Sequence, residues 1–89
     1  MNIIKRDGRI QELSISKLKM SIQKASDDIN APLTQSDISH LIEDINREFK
    51  NIKVKIIPAD QVQNIVYNVI LDNGFNELAE FYKVYEKEE

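Results

Sequence analysis

The sequence predicts an α+β fold: a four-helix bundle capped by a small three-stranded β-sheet. Three observations carry that prediction. An Asp7-Gly8 pair sits between two short runs near the start of the chain. Four later segments repeat apolar residues at helical spacing. A β-branched, alternating run from Ile52 to Ile57 separates the second of these from the third.

Residues 2–6 and 9–14 read as a hairpin. Asp-Gly suits a two-residue turn, in which both central residues take positive φ. Ile3, Ile10 and Leu13 are the expected inward residues. Two strands alone are marginal in water, so other elements must cover one face. Ser14 or Ser16 offers an N-cap for a first helix over 16–29, striped by Leu18, Ile22, Ala25 and Ile29. Asn30-Ala31-Pro32 ends it. Thr34 and Asp37 form a capping box, with Asp in place of the usual Glu, for a second helix over 35–49. Its stripe is Ile38, Leu41, Ile42, Ile45 and Phe49. His40 falls between stripe positions and reads as a surface or boundary residue.

Ile52, Val54 and Ile56 alternate with Lys53 and Lys55, which predicts a third strand over 52–57. It should join the hairpin, because an isolated strand has no ladder. Pro58 precedes a third helix over 59–72, whose stripe is Val62, Ile65, Val66, Val69 and Ile70. Asn73-Gly74 supplies a left-handed stop. Asn76 then caps a fourth helix over 77–87, striped by Leu78, Phe81, Tyr82 and Tyr85. The closing Glu86-Lys87-Glu88-Glu89 sets acids against the helix dipole, so this end is expected to fray.

The 89 residues are expected to form one domain, 1–89, near the small end of the usual range. A hydrophobic content of 42% with 30% charged residues is that of a folded chain, not a disordered one. No apolar run approaches the roughly 18 residues of a membrane span, and no secretory signal is read after Met1, so the expected location is cytoplasmic. Cysteine is absent, which excludes a disulfide framework and thiolate zinc sites. With one histidine, no Ser/His/Asp set and no Gly-rich Lys-Ser/Thr phosphate loop, the sequence does not support an enzyme. The adjacent acids Asp27-Asp28 and Glu43-Asp44 diverge on a helix and read as solvated faces.

Charge is distributed unevenly. Residues 1–24 hold six cations (Lys5, Arg6, Arg9, Lys17, Lys19, Lys24) against two acids, and the remainder holds six cations against thirteen acids. That split suits a local anion site near the hairpin rather than a broad nucleic-acid surface. Lys5, Arg6 and Lys17 are the candidate cations, with Gly8 allowing close backbone approach and a helix N-terminus nearby. Charge alone still favours a solvated hairpin tip. Lys5 and Arg6, as strand neighbours, should also point to opposite faces.

The run Lys5-Arg6-Asp7-Gly8-Arg9, then Leu13 and Lys17-Leu18, resembles the start of an ATP-cone, the nucleotide-binding regulatory domain at the N-terminus of many ribonucleotide reductases. Ala59-Asp60-Gln61-Val62-Gln63-Asn64-Ile65-Val66 looks like that family's third-helix start. Gly74-Phe75 followed by Ala79-Glu80-Phe81-Tyr82-Lys83-Val84-Tyr85 looks like its closing stretch. The resemblance covers essentially the whole chain and implies ATP or dATP as effector, with Mg2+. It implies that Lys5 and Arg6 contact phosphates with support from Lys17, and that Ile3 sits beside the base. Ala59, Val62 and Gln63 would line the opposite wall, Gln63 hydrogen-bonding the nucleotide. Gln11 stands where the family often has an acid, and Glu86 and Glu89 stand where it often has a basic pair.

The same resemblance implies an allosteric domain that binds ATP and dATP competitively to control a ribonucleotide reductase, the anaerobic class being preferred. Its partners would be a reductase catalytic domain or subunit and, in some arrangements, a second cone, with no membrane and no direct nucleic-acid contact. Two alternatives stand beside it. One is a degenerate cone that acts as a protein-interaction module without nucleotide. The other is the cone of a nucleotide-responsive repressor of reductase genes, whose family carries a cysteine zinc ribbon ahead of the cone. Under that reading this cysteine-free chain is an excised piece.

Overall fold

The computed structural model describes residues 1–87, with side chains described as far as Val84. Its order is β1 (Asn2–Ile4), β2 (Ile10–Glu12), α1 (Ile15–Asp28), α2 (Gln35–Lys50), β3 (Ile56–Pro58), α3 (Ala59–Asp72) and α4 (Asn76–Lys87). The fold is α+β, four helices with a three-stranded mixed sheet of order β2-β1-β3. β1 pairs antiparallel with β2 and parallel with β3.

The hairpin turn differs from the expected two-residue form. The Lys5 N–H donates to the Arg9 carbonyl at 2.8 Å and the Gly8 N–H donates to the Lys5 carbonyl at 2.9 Å, so Arg6, Asp7 and Gly8 form a three-residue loop. Gly8 takes φ +89°, whereas Asp7 is not among the positive-φ residues. One left-handed glycine after a tight turn suffices for such a loop. The register then sets Ile4 opposite Ile10 and Ile3 opposite Gln11. Ile3 and Leu13 pack against the core as expected, but Ile10 is 55% exposed, because it shares the outer face with Ile4.

α1 begins at the cap the sequence offered first. The Ser14 side chain accepts from the Lys17 N–H at 3.2 Å, and Asn30 closes the helix in the left-handed region at φ 56°. α2 carries the full capping box: Asp37 N–H donates to Thr34 Oγ1 at 3.0 Å and Thr34 N–H to Asp37 Oδ2 at 3.2 Å. The third strand is displaced from its expected place. It occupies Ile56–Pro58, and Ile57 is its buried residue, while Val54 and Ile56 are exposed. Its parity is fixed by the pairing of Ile57 with Ile3 of a three-residue β1, so the alternation upstream of Ile56 has no ladder to join. Pro58 is tolerated because β3 is an edge strand.

α3 spans the expected residues and ends on Gly74, with Gly74 N–H bonded to the Leu71 carbonyl and Phe75 N–H to the Ile70 carbonyl. α4 starts one residue early. Ala79 N–H donates to the Phe75 carbonyl at 2.9 Å, so Asn76 opens the helix instead of capping it. The expected stripe residue Tyr85 and the acidic tail at Glu88-Glu89 lie outside the described side chains or residues. The core runs through all four helices and β3: Ile22 and Ala25, Leu41, Ile45 and Phe49, Ile57, Val62, Val66 and Ile70, then Leu78, Ala79 and Tyr82. His40 is exposed.

Gly74 has φ +91° with open space where a Cβ would stand. Gly74→Ala is therefore expected to cost about 1–2 kcal/mol through backbone conformation alone, without a steric term. Chemical denaturation should show a lower midpoint with an unchanged slope.

Candidate functional site

The β1–β2 hairpin, α1, α3 and α4 converge on one cavity of about 430 Å³ at the sheet end of the bundle. That volume lies within the range of small-molecule sites. Ile3 and Gln11, directly opposite in the hairpin, contribute from its inner face. The turn adds Lys5, Arg6, Asp7 and Arg9; the start of α1 adds Ser14, Lys17, Leu18 and Ser21. The start of α3 adds Ala59, Asp60, Val62 and Gln63, and α4 adds Tyr82. All eight residues singled out by the sequence — Ile3, Lys5, Arg6, Gln11, Lys17, Ala59, Val62 and Gln63 — thus line a single space.

The two-face difficulty with Lys5 and Arg6 does not arise. Arg6 belongs to the loop and not to a strand, so the strict alternation of a pleat does not govern it. Helical spacing explains the α3 wall: Ala59, Val62 and Gln63 recur at i, i+3 and i+4 and share one face. Asp60, Ser14, Ser21 and Tyr82 also line the cavity and stand outside those eight. Tyr82 read as core by its spacing with Leu78. It is core, at 1% exposure, and it also lines the cavity. Asp60 carried a signal in being next to Ala59, but its partner lies 54 residues away in sequence and no local pattern shows it.

The site is apolar at depth, and its exposed rim carries four cations together with three acids, Asp7, Glu12 and Asp60. Val62 and Tyr82 are buried and Ile3 half-buried, whereas Lys5, Arg6, Arg9 and Lys17 are exposed. The four cations are not equivalent. Arg9 Nε donates to Asp7 Oδ2 at 2.6 Å and the Arg9 N–H donates to Asp7 Oδ1 at 3.1 Å, a contact within the turn. Arg6 Nη2 donates to Asp60 Oδ1 at 3.1 Å, bridging the turn and α3. Lys5 and Lys17 make no ion pair among the described residues. α3 also begins without a side-chain cap, because Pro58 holds the N-cap position, so its first turn presents N–H groups beside the cavity. An ion with an apolar ring and several negative charges matches this division. No helix among the described residues is long and apolar enough to cross a membrane.

The Arg9 N–H holds the Asp7 carboxyl below its ordinary value of 3.8, with further lowering from the Arg9 guanidinium. A carboxylate whose folded-state pKa is depressed adds stability above its unfolded value and loses it as pH falls through the folded one. The turn is therefore expected to be fully tied at neutral pH and to loosen only below about pH 4. An NMR titration of the Asp7 side-chain carboxyl should give a midpoint below 3.8, and a midpoint above that value would contradict the assignment.

The sequence model of the ATP-cone family, described as ATP cone domain, matches residues 1–89. A curated relative, the transcriptional repressor NrdR of Anaplasma phagocytophilum (strain HZ), is 32% identical over 69 residues. That alignment covers 78% of this chain and 44% of the relative, so the chain spans less than half the length of the protein it matches.

Proposed function

This chain belongs to the ATP-cone family, and from that premise we propose that it is a regulatory domain whose cavity takes ATP and dATP competitively as effectors. The observation that carries the proposal is the pair of lysines, Lys5 and Lys17, which line the cavity with no acid paired to them among the described residues. They hold the phosphates as point charges, and Arg6 adds a planar donor. The base lies over Ile3, Val62 and Tyr82, with Gln63 and Gln11 as polar partners. An amide at Gln11 donates as well as accepts, so it can replace an acid as a partner for a sugar hydroxyl. Mg2+ would come with the nucleotide and offset part of its phosphate charge; among the described residues no group of three His, Cys, Asp or Glu side chains is arranged to hold a metal.

The chemistry under control belongs to another domain or subunit. We place this domain in the control of a cytoplasmic ribonucleotide reductase, with the effector pair biasing two arrangements of domain or oligomer. Such a bias requires that each nucleotide bind one arrangement better than the other. ATP and dATP differ by one hydroxyl, so the discrimination available per hydrogen bond is about 1–3 kcal/mol. The relative described as a transcriptional repressor favours a second reading, the cone of a nucleotide-responsive repressor of reductase genes. In that reading the parent protein acts on transcription, and the expectation that it has no nucleic-acid partner applies at most to this cone. Calorimetry of this chain with ATP, dATP and GTP tests what both readings share. Adenine nucleotides should bind at micromolar to millimolar concentration and compete with each other. Absence of heat at millimolar nucleotide would leave the interaction-module alternative.

A further inference from the structure

The Arg6–Asp60 pair has a different character from the other ion pair of the turn. Arg9 and Asp7 lie two residues apart and shape the loop that contains them. Arg6 and Asp60 come from opposite walls of the cavity, the hairpin tip and the first turn of α3. Both line the cavity, and their side chains are 71% and 61% exposed. A carboxylate oxygen 3.1 Å from a guanidinium nitrogen makes the same contact that a phosphate oxygen would make. We propose that Asp60 is a built-in competitor for the phosphate site, occupying Arg6 and thereby lowering the affinity of the cavity for nucleotide.

The competition is balanced for exchange. An exposed pair of one carboxylate and one guanidinium is weak, and a polyphosphate brings more charge and a bidentate geometry to the same donor. Binding therefore transfers Arg6 from Asp60 to the ligand. Asp60 does not become an orphan when Arg6 leaves, because it is exposed to water and sits in the first turn of α3, where the helix dipole favours an anion. The Arg6–Asp60 bridge between the turn and α3 is thus coupled to the state of the cavity. Asp60 sets the nucleotide concentration at which the domain responds.

This inference rests on the nucleotide reading of the cavity, and the experiment separates the two. ATP is titrated calorimetrically into the wild-type chain, Asp60→Asn, Arg6→Ala and the double variant. Asp60→Asn should bind ATP about fivefold more tightly, the gain from releasing an exposed pair of roughly 1 kcal/mol. Arg6→Ala should bind about tenfold more weakly, and Asp60→Asn should add nothing in that background. Weaker binding by Asp60→Asn would make Asp60 a positioning residue and overturn the proposal. So would a gain that persists without Arg6, since it would reflect the general field of one acid. If all four proteins give no heat, the nucleotide reading fails and this inference fails with it. If wild type binds and Asp60→Asn binds identically, this inference alone fails. Circular dichroism should be the same for all four, as both side chains are exposed.

Discussion

Lys5→Ala combined with Lys17→Ala is expected to lower ATP affinity by at least about 100-fold, because two charge-assisted contacts of roughly 1.5–3 kcal/mol each are removed. Neither lysine has an ion-pair partner among the described residues, and both are exposed. Folding therefore has little to lose, within about 0.5 kcal/mol per site. The combination of lost binding and retained stability distinguishes a ligand site from a turn decorated with lysines for solubility. Equal affinity for wild type and variant, by calorimetry at fixed salt, would return the cations to the role of a solvated tip. Salt must be held constant because exposed charges are screened over about 10 Å at 0.1 M ionic strength.

Tyr82→Ala should have the largest effect on stability. The side chain is 1% exposed, belongs to the core cluster and also borders the cavity. Truncating a buried aromatic costs about 3–5 kcal/mol through lost transfer energy and the space left behind. A domain of this size has of the order of 5–10 kcal/mol in total, so the variant should be marginal. At about 4–8 °C per kcal/mol, the melting temperature should fall by on the order of 20 °C. In the structure α4 packs against α1 and α3, and a shift of only a few degrees would contradict that packing. Tyr82 explains why the cavity and the core respond together: the ring that closes the bundle is also part of the cavity wall.

The helices were legible in the sequence because each has a stripe and punctuation that agree. Thr34 with Asp37, Asn73-Gly74 and Ser14 mark ends that side chains or left-handed residues enforce, and the structure uses all three. The strands were less legible because three residues are too few to fix a phase. In the run Ile52 to Ile57 the alternation pointed to Ile56, but pairing with Ile3 selects Ile57. The hairpin departs from its expected form for a related reason. Asp-Gly is compatible with two loop lengths, and the choice of three residues decides whether Ile10 faces in or out. The cavity wall was legible where the positions are local, as at Ala59, Val62 and Gln63. The Arg6–Asp60 contact was not, because only the tertiary fold brings those residues together. The role of Asp60 rests on a distance, and no spacing encodes it.

The nucleotide is received, on this reading, by the cleft between the hairpin turn and the start of α3. Amide chemical shifts of this chain, tracked by NMR as ATP is added, test it most directly. Shifts should concentrate at residues 3–11, 14–21 and 59–63. Residues 73–77, about 20 Å away along α3, should remain still. No shift at millimolar ATP, or shifts gathered at that far end, would contradict it.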